Sequence, residues 1–165
     1  MAKRDSLRPM KFLAPFLSLA ALVSAHAAEL SAIPFKTITG EETSLAAYKG
    51  KVVLVDFWAS WCGPCKESFP AMNQLQQQFA DKGVVILAIN VDETKSDMDA
   101  FLKEHPASFT VVRDAKQKLV DKVEIGTMPS SFILNKDGKV MSTHSGFEGE
   151  KTRKQYEEEL INLLK

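Results

Sequence analysis

The stretch Val52-Val53-Leu54-Val55-Asp56-Phe57-Trp58 constrains this chain more than any other. All but one of its residues are apolar, and three are β-branched valines. Such a run reads as a central strand buried on both faces of a sheet. Its one charged member, Asp56, is the anomaly. Trp61-Cys62-Gly63-Pro64-Cys65 follows almost at once. Proline near a first turn, with helix-forming residues after it, marks the start of a helix. Phe69, Met72, Leu75 and Phe79 give that helix an apolar face, Pro70 is expected to kink it, and Gly83 to stop it. The chain therefore passes from a buried strand into a helix, with two cysteines at the junction.

The flanking segments read as further strands and helices. Ile33 to Ile38 suggests a short strand, with turns at Thr39-Gly40 and Lys49-Gly50-Lys51. Val84 to Val91 reads as a second buried strand. Ser96 is placed as the cap of a helix carrying Met98, Phe101 and Leu102, ended by His105-Pro106. Phe109 to Val112 reads as a short strand and Ala115 to Val123 as a short helix. Ser130 to Leu134, the turn Asn135-Lys136-Asp137-Gly138 and Val140 to Phe147 read as a hairpin. A closing helix presents Tyr156, Leu160, Leu163 and Leu164 on one face. Strands alternating with helices, then a hairpin, predict a mixed sheet with helices on both faces. No repeat or linker divides the chain.

The first 27 residues read as an address. Lys3, Arg4, Arg8 and Lys11 oppose one acid, Asp5; the apolar run Phe12 to Val23 follows, then Ala25-His26-Ala27. That is the layout of a secretory signal peptide. The run is short for a hydrocarbon core of about 30 Å. An uncleaved anchor, with the run stretched to Ala28, stands as the alternative. No cysteine lies near the site to carry a lipid. Cleavage after Ala27 leaves residues 28–165. Four bases and one acid depart from 21 of each, so 17 basic and 20 acidic residues remain, net −3. This balance points to no nucleic-acid partner. Both cysteines stay, outside the cytoplasm, where disulfides persist.

Two cysteines at this spacing have a limited repertoire. Cys62 lies at a helix N-terminus, where free N–H groups and the dipole stabilise a thiolate. Cys65 lies a turn further on and deeper. One sulfur can attack a partner's disulfide while the other resolves the mixed disulfide. A purely structural bridge closes so short a loop that it stabilises little. A tetrahedral zinc wants four ligands, and residues 28–165 add only His105 and His144, both read as surface residues at unrelated positions. Redox chemistry is the favoured reading.

The segment from Val55 to Lys66 resembles a thioredoxin-fold active site. Pro70 matches that family's kink proline, Thr127-Met128-Pro129 resembles its cis-proline loop, and Asp137-Gly138 its hairpin turn. The resemblance covers nearly all of residues 30–165. The stretch from Cys65 to Pro129 is longer than in thioredoxin by about a helix and a strand. With the leader and the Tyr48-Lys49-Gly50-Lys51 entry, the chain is most similar to TlpA/ResA-like extracytoplasmic thiol-disulfide oxidoreductases. The resemblance implies an α/β thioredoxin fold: a central mixed sheet, helices on both faces, and a helix-strand insertion between the active-site half and the cis-proline half. Residues 28–165 form the domain.

The resemblance also implies an activity, periplasmic reduction of protein disulfides through a Cys62/Cys65 pair, with cytochrome c maturation among the pathways. Gly63-Pro64 resembles reducing members. Two other readings stand: an oxidase or isomerase with the same site, and a non-catalytic thiol metal-binding module or chaperone. The implied partners are disulfide-bearing periplasmic proteins and a membrane electron donor of the DsbD/CcdA type. A monomer with no metal, and no cofactor beyond the redox disulfide, is expected.

Asp56, six residues before Cys62, has two readings. It is a strand-end carboxylate reaching solvent, or a buried one whose pKa burial raises. In the second it accepts the Cys65 proton, the role of the matching position in thioredoxin-like proteins. Pro129 either ends a loop or, as a cis-proline, holds the Met128 backbone beside Cys62 as an edge for an extended substrate. Trp58 reads as packing, Trp61 as a rim contact beside Gly63 and Pro64, and Lys66 as a solvated helix residue. Two positions depart from the pattern. Ser68 stands where a glutamate often follows the second cysteine in the ResA-like group. Ala88 stands where thioredoxins often place a lysine near the buried aspartate.

Overall fold

A computed structural model describes residues 33–123 and 125–165. The leader and its cleavage site lie outside the described residues. Strands β3 (Val52–Trp58), β4 (Val84–Asn90), β5 (Thr110–Arg113), β6 (Ser130–Leu134) and β7 (Val140–Ser145) form one sheet in the order β5-β4-β3-β6-β7. β3, β4 and β5 are parallel, whereas β6 and β7 run antiparallel, so the sheet is mixed. Helix α1 (Gly63–Phe79) connects β3 to β4, α2 (Lys95–Glu104) connects β4 to β5, and α3 (Glu150–Leu164) follows β7. This is the thioredoxin fold, with α2 and β5 supplying the extra helix and strand between the active-site half and the Pro129 half.

β3 is buried along its whole length, as its apolar run requires. Side chains alternate across a strand, so Leu54, Asp56 and Trp58 share one face while Val53, Val55 and Phe57 share the other. The first face packs against all three α-helices. Trp58 meets Phe69 of α1 at 4.8 Å and Phe101 of α2 at 4.7 Å between ring centroids. Burial of each such side chain contributes about 1.5–3 kcal/mol.

The second face is covered differently. A two-stranded hairpin, β1 (Phe35–Lys36) with β2 (Glu42–Thr43), lies there with 3-10 turns at Leu45–Tyr48 and Val120–Lys122. The helical cover on this side is thus 3-10. The α-helix expected over Ala115 to Val123 shrinks to its last turn. The Asp114 carboxylate accepts from the backbone N–H groups of Lys118, Leu119 and Val120, diverting donors that an α-helix would use.

Three other boundaries differ from expectation by more than one residue. The Ile33–Ile38 strand is only Phe35–Lys36; beyond it Thr37 bridges Val112 at the sheet edge. The cap of α2 is Thr94, not Ser96: its Oγ1 accepts from the Asp97 N–H, while Ser96 lies within the first turn. The return strand β7 stops at Ser145, short of Phe147. α1 runs continuously through Pro70 and ends in a 3-10 turn at Gly83, whose φ of 88° favours glycine. The β6–β7 turn closes on Asn135, whose Oδ1 accepts from the N–H groups of Asp137 and Lys139. Tyr156 and Leu160 of α3 are buried, with Leu163 and Leu164 packed at the core's margin. Among the described residues no helix is long and apolar enough to cross a membrane.

Candidate active site

Cys62 and Cys65 are joined in a disulfide, S–S 2.04 Å, Cα–Cα 5.3 Å. Cys62 is the N-cap of α1, and its Sγ accepts from the Cys65 N–H at 3.2 Å. The helix thus aims a backbone donor at the sulfur that would carry negative charge after reduction. The two sulfurs differ in access. A hollow lined by Trp61, Cys62, Gly63, Pro64, Ile125, Gly126, Thr127 and Met128 opens beside the bridge. Cys65 is absent from that lining and fully buried. Trp61 is 71% exposed and forms the rim.

The Met128–Pro129 peptide is cis. Met128 faces the hollow; Pro129 lies behind it, where its carbonyl accepts from the Gly146 N–H at 2.7 Å. Of the residues named from sequence, Trp61, Cys62, Gly63, Pro64 and Met128 come together around one cavity. Thr127 of the cis-proline loop joins them, together with Ile125 and Gly126, which the sequence does not mark. No chemistry-bearing side chain marks them, and only the fold brings that loop to the disulfide.

Asp56 is 1% exposed, so the strand-end reading is overturned. Cys65 packs in one cluster with Leu54, Trp58 and Ala88, the neighbours of Asp56 along β3 and across to β4. On the other side Asp56 is paired with Ser131 of β6. Its Oδ1 accepts from Ser131 Oγ at 2.6 Å, and Ser131 Oγ is 2.7 Å from the Tyr156 hydroxyl. Oδ2 is buried with no hydrogen-bond partner among the described residues. Burial pushes the Asp56 pKa up to about 7, against the smaller, opposing effect of the Ser131 bond. Burial, followed by the Asp56 charge, raises the Tyr156 pKa. Ala88 is the direct β4 partner of Asp56 and supplies no cation.

The site is thus a helix-capping disulfide whose Cys62 side lines a hollow, in a fold that also buries the Asp56 carboxyl. The Redoxin family pattern matches residues 28–160. This chain is a member of the redoxin family. It is 37% identical over 120 residues to the thiol-disulfide oxidoreductase ResA of Bacillus cereus, covering 73% of this chain and 68% of that protein. It is 35% identical over 126 residues to the ResA of Bacillus subtilis, covering 76% and 68%. A Chlorobium tepidum structure described as a thiol:disulfide interchange protein DsbE is 38% identical and superposes with a TM-score of 0.76, over 81% of this chain and 93% of that one.

Two further features of this redoxin bear on the site. Asp92, just beyond β4, is buried and accepts from the Ser60 N–H at 3.1 Å, Ser60 Oγ at 2.9 Å and Asn90 Nδ2 at 2.7 Å. It ties down the turn that leads into Trp61 and Cys62. Ser68, in the place of the familiar glutamate, is buried and donates to the Cys65 carbonyl at 3.0 Å. Glu67 is exposed. Ser68 thus serves the helix that carries the resolving cysteine and adds no charge there. Among the described residues no group of three or more His, Cys, Asp or Glu side chains is placed to hold a metal ion.

Proposed function

We propose that this redoxin is an extracytoplasmic thiol-disulfide oxidoreductase that reduces disulfides of exported proteins. The observation that carries the roles is the asymmetry of the bridge: the hollow reaches Cys62 and not Cys65. In the dithiol form the Cys62 thiolate, facing the Cys65 N–H, attacks a sulfur of the substrate disulfide. A Cys62–substrate bond forms, and the substrate's other sulfur leaves as a thiolate. Cys65 then gives its proton to Asp56 and attacks Cys62. The Cys62–Cys65 bridge re-forms, the second substrate thiolate departs, and two electrons have passed to the substrate. An Asp56 pKa of about 7 suits a base working near neutrality.

Trp61, Gly63, Pro64 and Met128 form the docking surface, with Pro129 holding the Met128 edge toward an extended substrate. The bridge is returned to the dithiol by a membrane donor of the DsbD/CcdA type. Export uses the leader ending at Ala27. Periplasmic disulfide-bearing proteins, including those of cytochrome c maturation, are the substrate class.

The test is the pair of serine variants. Cys62→Ser is expected to lose reduction of a model disulfide altogether, whereas Cys65→Ser accumulates mixed disulfides that trap the natural substrates. Substantial activity in Cys62→Ser would overturn the assignment. Equilibration with glutathione buffers sets the direction of flow. A potential nearer thioredoxin's roughly −270 mV than DsbA's roughly −120 mV is expected, and one above about −180 mV makes the protein an oxidant or isomerase.

A further inference from the structure

Ser131 and Tyr156 stand outside every cysteine motif, and the redox cycle above gives them no task. Yet they form the only hydrogen-bonded contact that Asp56's side chain makes among the described residues. Ser131 is fully buried in the middle of β6, and Tyr156 is buried on α3. A serine hydroxyl has one proton. At 2.6 Å from Asp56 Oδ1 that proton is committed to the carboxylate, so the Tyr156 contact at 2.7 Å must be one in which tyrosine donates. The chain runs in one direction: Tyr156 O–H to Ser131 Oγ, Ser131 O–H to Asp56 Oδ1.

The opposite direction carries a penalty. A proton on Oδ1 would turn the Ser131 hydroxyl toward Tyr156. The Tyr156 O–H would then have no acceptor, since among the described residues it has no second hydrogen-bond partner. An unpaired buried donor is costly. A proton on Oδ2 also leaves one donor unpaired, its own, but it turns neither hydroxyl, because no donor among the described residues points at Oδ2. Tyr156 itself is held in its protonated form by burial and by the Asp56 charge, so the hydroxyls cannot drain the proton away.

We propose that Ser131 and Tyr156 are a positioning pair that locks Oδ1 of Asp56 as an acceptor and leaves Oδ2 as the oxygen that takes the Cys65 proton. The role in catalysis rests on Asp56 being the base proposed above. The pair also supports the ionised carboxylate against burial, as no cation does. From β4 the carboxyl's register partner is Ala88, from β6 Ser131, and from α3 Tyr156 through Ser131; Cys65 of α1 packs in one cluster with Leu54, Trp58 and Ala88, the residues next to Asp56. Two titratable side chains lie further along the same path: Glu159 of α3 and His144 of β7 pair with each other at 3.0 Å, and the His144 ring packs on the Tyr156 ring.

The experiment has two readouts on the full-length protein. The Asp56 carboxyl carbon is titrated by NMR in the oxidised form, assigned with Asp56→Asn. The rate at which Cys65 resolves a preformed Cys62 mixed disulfide is followed against pH. Ser131→Ala is expected to move the Asp56 midpoint upward by about one pH unit. Tyr156→Phe, which keeps the ring's packing and stays folded should the serine variant not, is expected to move it the same way by less. The resolution profile is expected to move in parallel. Unchanged midpoints in a variant that merely melts earlier would overturn the proposal and reduce both hydroxyls to packing. A midpoint that moves while the resolution profile of wild type and variants stays fixed would support the hold on the carboxyl and sink Asp56 as the base.

Discussion

Two aspartates, Asp56 inside β3 and Asp92 just beyond the end of the adjacent parallel strand β4, flank the cysteine turn, and both are buried. Asp92 has donors on both oxygens: the backbone and hydroxyl of Ser60 and the amide of Asn90. Among the described residues Asp56 has one donor, Ser131, on one oxygen and none on the other. The difference separates structure from chemistry. A buried carboxylate with donors on both oxygens holds chain segments together. One left half-solvated by the protein has its pKa driven up, and can exchange a proton near neutral pH. Asp92 therefore anchors the approach to Cys62, and Asp56 is equipped to serve Cys65.

The largest effect that separates the two is on stability. Asp92→Ala leaves the Ser60 and Asn90 donors without their acceptor, and is expected to lower unfolding free energy by about 3 kcal/mol. Chemical denaturation at pH 7 measures it. A neutral result would erase the structural half of the contrast.

Asp56→Asn is expected to act with the opposite sign. The folded pKa lies near 7, above the unfolded value of 3.8, so the folded state binds more protons between those limits. Stability conferred by the neutral carboxyl is therefore present below pH 4 and lost as pH rises through 7. In the oxidised protein the amide variant should match wild type near pH 4 and be more stable by about 4 kcal/mol at pH 8. Its mixed-disulfide resolution should slow by about 100-fold. A variant equally stable at both pH values, and equally fast, would make Asp56 another Asp92.

A smaller effect comes from restoring a charge. Ala88→Lys puts an ammonium group across from Asp56 in the sheet register and should draw its midpoint below 7. The net gain in stability at pH 8 should stay within about 1 kcal/mol, because the longer side chain must fit a filled core. An unmoved Asp56 midpoint in a folded Ala88→Lys protein would show that register proximity alone does not couple the two positions.

Much of the frame was legible without coordinates. β3 and β6 end where their apolar runs end, and the Cys62–Cys65 turn opens a helix because Pro64 and the residues after it favour one. Boundaries failed where a side chain competed with the backbone. Asp114 took the donors of a helix foretold at 115–123, and Thr94 rather than Ser96 capped α2. Neither competitor differs in composition from its neighbours, so periodicity could not rank them.

The candidate site divides the same way. The sequence by itself determined the cysteine pair, its place at a helix N-terminus and the oddity of an aspartate in an apolar strand, because each depends on residues within one strand-turn-helix segment. Only the tertiary structure decided that Asp56 is sealed from water, that one of its oxygens is held, and that the hollow reaches one sulfur and not the other. Those properties arise from partners far away in the chain: Ala88 in β4, Ser131 seventy-five residues on, and Tyr156 in the last helix. A carboxyl's pKa is set by what surrounds it in space, and its surroundings are fixed only when the sheet register and the closing helix bring those elements together.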